Sequence, residues 1–296
     1  MLSPYLLDSG GLKMLSPYLL DSGGLKMLSP YTLIYISSLT SYVLRLTSIV
    51  LSLSSLIFTS MSEKNSTEAT PRIVIQKNGP YDVYGGIPLH IQNIVANAEG
   101  KSWDWENGET FKSEDSYQLC RCGHSSNKPF CDDTHLKIHF DGTETASRLP
   151  YDEQAKKFDG PTLVMGDAGA LCSNARFCSA SGKIRNLVQQ TNDPAVRAEV
   201  IREVMNCPSG RLTLYDKISE HEIENALEPV IGIVEDIPLG CSGPLWVQGG
   251  IPIESANGEQ YEIRNRVTLC RCGSSKNKPF CDGSHVMVGF DDGLFD

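Results

Sequence analysis

The sequence predicts an α+β protein in which two small, mostly β units flank a middle segment of mixed α+β character. Three observations carry that prediction. A sixteen-residue stretch rich in metal-ligating side chains is written twice, 150 residues apart. A longer phrase of short strands and Gly-Gly turns precedes each copy, and between the copies lies a segment with a helix start signal and its own cysteine pattern. The chain has 296 residues, 40% hydrophobic and 21% charged, ordinary for two or three small domains.

Residues 1–60 read differently from the rest. Residues 1–13 recur unchanged as 14–26, and a third copy starts at Met27 and breaks off after Tyr31. Structural repeats are longer and drift, so such identity indicates a duplication of DNA. Residues 32–60 are apolar but rich in serine and threonine, with Arg45 among them. The expectation is an upstream extension ahead of a start at Met61, with a weak membrane anchor through residues 32–60 as the alternative.

The first unit is expected over 61–141. Arg72 to Gln76 is a β-branched run leading into Gly79-Pro80 and then Gly85-Gly86-Ile87-Pro88. The same phrase returns as Gly243-Pro244 and Gly249-Gly250-Ile251-Pro252, placing the second unit over 237–296. The first copy carries fourteen extra residues around Lys101 to Phe111, read as a loop or hairpin whose Trp103 and Trp105 are packing residues. A third strand in each copy delivers the chain to its cysteines, and a brief apolar strand is expected after each motif, Ile138 to Phe140 and Val288 to Phe290.

The motif itself is C-x-C-x8-C-x3-H: Cys120, Cys122, Cys131 and His135 in the first copy, Cys270, Cys272, Cys281 and His285 in the second. Twelve of its sixteen positions are identical between the copies and all four candidate ligands align. Thiolate and imidazole together suit both a tetrahedral zinc ion and an iron-sulfur cluster. Zinc sites commonly take ligand pairs with two to four residues inside each, and C-x-C is tighter. Two thiolates one residue apart can hold one iron of a 2Fe-2S rhomb.

With Ser275, Pro279, Asp282, Gly283 and Ser284 in place, the stretch resembles the CDGSH iron-sulfur family of the mitoNEET type. The resemblance implies one 2Fe-2S cluster on each set of three cysteines and one histidine. It also implies an internal pseudo-dimer in which strands from both copies share a sheet, because the single-motif family works as a dimer. The upstream copy keeps Ser125 and Pro129 but has Asp133 where the family has glycine. Glycine supplies a backbone angle that other residues reach at a cost, so the first site is expected to be the weaker one.

The middle segment, 142–236, contains Cys172 and Cys178 in a C-x5-C grouping and a distant Cys207-Pro208. Asp193-Pro194 reads as cap and first turn of a helix to about Met205, followed by a strand over Arg211 to Tyr215. The segment resembles the divergent single-cluster ferredoxins, with Ala175 at the middle cysteine position. Three thiolates suit a 3Fe-4S cluster, or a 4Fe-4S cluster with one iron held otherwise. A degenerate domain without a cluster and a structural role for the thiols stay open. Cys241 is read as a buried small apolar residue, with a fourth ligand to the central site as the alternative.

Nothing else in the chain signals chemistry. It has no G-x-G-x-x-G after a strand, no P-loop, no H-E-x-x-H and no G-x-S-x-G. His90, His124, His139 and His221 are read as solvated or core residues. The run from Ser219 to Asn225 is read as a solvated helix face, one that a basic redox partner would fit. All ten cysteines lie between Cys120 and Cys281, and eight of them fall in C-x-C, C-x8-C or C-x5-C groupings of metal-site character rather than a disulfide framework, which argues for a reducing, cytoplasmic setting. A net charge of −10 disfavours nucleic acid and anionic membrane surfaces as partners. The expectation is an electron carrier rather than an enzyme, meeting a redox partner protein. Storage and transfer of 2Fe-2S clusters to an apo-acceptor protein is the alternative, and an exposed histidine ligand would make it easy; a zinc-stabilised interaction module is the third.

Overall fold

The computed structural model describes residues 18–21, 24–27 and 70–294. Strands β1 (Tyr18–Asp21) and β2 (Gly24–Met27) pair as an antiparallel hairpin in a unit of their own, 1–67. The expected anchor over 32–60 and the expected start at Met61 lie outside the described residues. Among the described residues no helix is long and apolar enough to cross a membrane.

The second unit, 68–296, holds everything else. The first copy supplies β3 (Arg72–Ile75), β4 (Tyr81–Tyr84), β5 (Leu89–Ala96), β6 (Ser102–Phe111) and β7 (Ser116–Leu119). The middle segment supplies β8 (Lys156–Asp159), β9 (Leu163–Asp167), β10 (Leu212–Asp216) and β11 (Glu222–Ile223). The second copy supplies β12 (Val230–Asp236), β13 (Cys241–Gln248), β14 (Ile253–Glu254) and β15 (Arg266–Leu269).

The two copies exchange strands. One sheet runs β14-β3-β4-β7 and the other β15-β13-β12-β5-β6. Each copy keeps its first, second and last strands together and gives its third to the other copy's sheet, where β14 lies parallel to β3 and β5, with β6 beyond it, lies parallel to β12. The strand β12 therefore lies ahead of the expected boundary at 237 and pairs with β13, in the sheet of the second copy. A single apolar core fills the space between the sheets, with Ile73, Tyr81 and Leu119 meeting Ile233, Val247 and Leu269, all at most 1% exposed. The Tyr81 hydroxyl crosses from one copy to the other and donates to the carbonyl of Cys270 at 2.7 Å.

The extra residues of the first copy include the ten-residue strand β6, paired antiparallel with β5. Trp105 lies on it and packs against Phe177 and Trp246 at centroid distances of 4.8 and 4.7 Å, as its reading as a packing residue required. Trp103 is 36% exposed and lies under the Arg202 guanidinium, 3.6 Å from its ring centre. Through these rings the middle segment is fastened to the five-stranded sheet. Phe177 is 1% exposed, so Phe177→Ala should destabilise the protein by about 3–5 kcal/mol. A thermal melt unchanged by that substitution would show that the fastening is elsewhere.

The middle segment has its own sheet, β11-β10-β9-β8, covered by helices. The helix Pro194–Met205 starts where the sequence indicates, with the Asp193 carboxylate accepting from the Ala195 N–H at 2.8 Å. Its far end is held by buried Arg266 of β15, which donates to the carbonyls of Val204, Met205 and Cys207. A cation on the last carbonyls of a helix is favoured by the aligned peptide dipoles.

Two expected elements differ. The residues after each histidine are not strands: short helices, Thr134–Lys137 and Ser284–Met287, come first, and the chain then turns, with His139 at φ 52°. Only Phe140 and Phe290 of these runs are buried; Ile138 and Val288 face solvent. The acidic run 219–225 is not a helix either. It holds the turn at Glu220 (φ 57°) and the edge strand β11, because Asp216 spends one carboxylate oxygen on the N–H groups of Ile218 and Ser219 and so closes a turn there.

Candidate metal centres

Each sixteen-residue motif folds on its own polar side chains. Ser125 donates to the Phe130 carbonyl and accepts from the Asn127 N–H; Ser275 does the same with Phe280 and Asn277. Asp132 accepts from the N–H groups of Ser126 and Thr134, and Asp282 from those of Lys276 and Ser284. These contacts explain why serine and aspartate recur at fixed offsets: they bend an irregular loop whose backbone has few partners of its own. The strands β7 and β15 then bring the C-x-C pair up against the loop, with the N–H of Cys120 on Pro129 and that of Cys270 on Pro279, both at 2.8 Å.

The four candidate ligands of each motif form two close pairs, the C-x-C thiols and the third cysteine with the histidine. Cys120 and Cys122 have their sulfurs 3.8 Å apart, and Cys270 and Cys272 theirs 3.7 Å apart. Cys131 Sγ lies 3.4 Å from His135 Nδ1, and Cys281 Sγ 3.4 Å from His285 Nδ1. The two C-x-C turns meet back to back, Cys122 bridging to Cys272. Gly123 and Gly273 are required there: a Cβ on either would lie 2.5 or 2.4 Å from the opposite cysteine carbonyl. The first thiol of each pair is held below the ordinary thiol value, by its partner cysteine first and then by backbone N–H groups. Burial pushes the Cys281 thiol far up and pulls the His285 imidazole down to about 4, with Arg271 adding to the second shift. A neutral imidazole with three thiols, the first of which is held low in each motif, is a donor set that fits iron or zinc.

Neither histidine is exposed, contrary to what easy cluster transfer suggested. His135 is 8% and His285 3% exposed, because each imidazole is turned inward against its motif's third thiol.

The two centres are nonetheless unequal in their cover. Gly283 has φ 83° and is packed under the middle segment; a Cβ there would lie 2.9 Å from the Asn174 Cβ and 3.5 Å from the Cys172 carbonyl oxygen. Its counterpart Asp133 has φ 64° and faces solvent. Cys281 is accordingly buried and Cys131 half-buried. The Asp133 carboxylate stands with Cys131 and His135 in a group whose ligand atoms all lie within 4.8 Å of one another.

The arginine inside each C-x-C is buried as well, and sequence reasoning passed over both. Arg271 donates to the carbonyls of Gly243 and Val234, to Glu235 at 2.6 Å and to Asp292. Burial pushes the Glu235 carboxyl up to about 7, while Arg271 outweighs burial at Asp292 and holds it below its usual range. Arg121 donates only to the carbonyls of Gln76 and Gly142, lies between the Tyr81 and Phe140 rings, and leaves its Nε unpartnered. The signal was an arginine in the centre of each ligand pair, next to residues that had to be buried.

In the middle segment Cys172, Cys178 and Cys207 line one cavity of about 20 Å³ with Ser209 and Arg211. The structure thus brings together three thiols spread over 35 positions of sequence, from Cys172 to Cys207. Arg211 is held by the buried Asp167, which Arg185 also pairs, and its Nη1 donates to Cys172 Sγ at 3.1 Å. Burial pushes the Cys178 thiol up to about 11. Three thiols with a cation beside them fit an anionic cluster in donor type, although the space admits only a water-sized group. Cys241 starts β13, is 6% exposed and does not line this cavity, so it packs as a small apolar side chain.

Paired thiol-imidazole sets on strand-exchanged sheets, with a third thiol set between them, define an iron-sulfur protein once the comparisons are added. Residues 78–136 and 242–286 match the family described as iron-binding zinc finger CDGSH type. Residues 158–217 match the family described as divergent 4Fe-4S mono-cluster. The chain is thus an iron-sulfur protein with two CDGSH-type regions flanking a divergent 4Fe-4S region. No curated protein and no solved structure matches it.

Proposed function

We propose that this protein is a one-electron carrier. Each CDGSH-type region holds a 2Fe-2S cluster through three cysteines and one histidine: Cys120, Cys122, Cys131 and His135 in the first, Cys270, Cys272, Cys281 and His285 in the second. Cys172, Cys178 and Cys207 hold a third cluster of 3Fe-4S or 4Fe-4S type. When bound, these clusters accept and release single electrons; the chain fixes the thiol and imidazole positions, excludes water, and sets the charge around them. The observation that carries the reading is contiguity. The backbones of Cys122 and Cys272 touch, and the Gly283 loop of the second site touches Cys172 and Asn174 of the middle site. Three centres in a row inside one fold suit electron passage better than independent storage. The electrons would be exchanged with a redox partner protein in the cytoplasm, and the net charge of −10 favours a basic one.

A second reading is favoured at the first site alone. Its exposed Asp133 and half-buried Cys131 suit release of a 2Fe-2S cluster to an apo-acceptor protein. Incubation with apo-ferredoxin separates the two: migration of cluster supports transfer, and reversible reduction without migration supports electron carriage.

Protein purified without oxygen should contain about seven or eight iron atoms per chain, two from each outer cluster and three or four from the middle one. About four would remove the middle cluster and leave the outer sites. Colourless, zinc-containing protein would overturn the reading altogether.

A further inference from the structure

The twin CDGSH-type regions differ in the charge that surrounds the same buried arginine: Arg271 meets two carboxylates, and Arg121 meets none. Parallel pairing aligns β3 with β12, Ile73 opposite Ile253 in one sheet and Ile231 opposite Leu89 in the other. Counting on from Ile73 and Ile231 puts Lys77 where the second copy has Glu235. Counting from Phe140 and Phe290 puts Gly142 where it has Asp292. The two carboxylates that neutralise Arg271 therefore have no counterpart in the first copy. Arg121, 1% exposed, meets only carbonyls and ring faces, and one of its nitrogens meets nothing. Asp141, whose carboxyl feels Arg121, is solvated and accepts from Thr143 instead.

From this we infer that the first site has the higher reduction potential of the two, so that an electron shared between them rests at the first site. An electron entering a cluster adds one negative charge. A buried cation without a counter-ion stabilises that added charge, whereas a cation already cancelled by Asp292 does not. Asp133 works in the other direction at the first site, but it is exposed and water screens it, while Arg121 is fully enclosed. The exchange is a single-electron step: the second-site cluster is oxidised by one electron, the first-site cluster is reduced by it, and no bond or proton moves. The two outer centres then have a direction between them, from the enclosed second site to the more open first.

The inference rests on both sites carrying clusters, and iron and sulfide analysis of the same samples tests that separately. Potentiometric titration of the full chain, followed by visible absorbance, should show two outer-site midpoints, with the higher one missing in Cys131→Ser and the lower one missing in Cys281→Ser. Asp292→Asn, which keeps the shape of the side chain, should raise the lower midpoint towards the higher and leave the higher in place. Arg121→Gln should lower the higher midpoint; should that variant fail to fold, Asp292→Asn alone decides. Equal midpoints in protein carrying both clusters, the reverse order, or a lower midpoint unmoved by Asp292→Asn would each overturn the inference while leaving the sites themselves intact.

Discussion

Gly283→Asp should open the second centre to solvent and make the two CDGSH-type regions alike. The backbone itself tolerates the change, since Asp133 holds the matching position at φ 64°. The neighbours do not. A Cβ would come within 2.9 Å of the Asn174 Cβ, closer than packed atoms approach, and the carboxylate beyond it would push into the loop that carries Cys172. Overpacking of this kind destabilises by roughly 1–3 kcal/mol. The loop can relieve the clash by lifting away, which uncovers Cys281 and His285 and disturbs Cys172 at once. In the unmodified protein, acid should bleach the visible absorbance in two phases, the first site before the enclosed second. In Gly283→Asp both outer clusters should go in the fast phase, and the iron of the middle site should fall with them. Asp133→Gly is the control, because it should leave the slow phase in place. Persistence of two phases in Gly283→Asp would mean that the Asn174 loop does not protect the second centre.

His285→Cys and His135→Cys should each make one centre more acid-resistant and harder to reduce. A neutral imidazole leaves a cluster less negative than a fourth thiolate does. The parent potentials should accordingly lie above the roughly −400 mV of all-cysteine clusters, toward the two-histidine range of about −150 to +300 mV, and each variant should fall toward the lower figure. Protons compete with iron for the imidazole lone pair, so acid releases the cluster. At the second centre this competition is pushed to lower pH, because burial pulls His285 down to about 4, well below the ordinary histidine value of about 6.5. The sign for the metal-free protein follows. The unfolded chain takes up the proton first, so the stabilisation from neutral His285 is complete above about 6.5 and is lost as pH falls toward 4, roughly 3 kcal/mol in all. His285→Gln should flatten that acid slope in a denaturant titration. If both histidine-to-cysteine variants bleach in acid as fast as the parent, histidine is not a ligand.

Much of the ligand geometry was legible because it is local. Ser125, Asp132 and their counterparts build the loop from within sixteen residues, and Asp193-Pro194 starts a helix by contacts two residues away. The exchange of β5 and β14 was legible only through resemblance, since each strand has the same sequence whichever sheet it joins. The neutralisation of Arg271 was not legible at all: its partners Glu235 and Asp292 lie 36 and 21 residues away on either side, and nothing in their neighbours marks them. The apolar runs after the histidines were misread because three apolar residues specify burial of none in particular. Only Phe140 and Phe290 reach the core, and the turn at His139 exposes the rest. The membership of β12 was missed because its partners β13 and β5 lie on opposite sides of it in sequence.

Strand exchange within one polypeptide also changes what mutation can do. In an assembly of two identical chains every substitution arrives twice, once in each half, and the halves stay alike. Here β14 completes one sheet and β5 the other from a single reading of a single gene, so each half can vary alone. Asp133 opposite Gly283, and Lys77 and Gly142 opposite Glu235 and Asp292, are differences that a symmetric pair has no means of inheriting. Fusion of the halves is what makes twin centres free to become unlike ones.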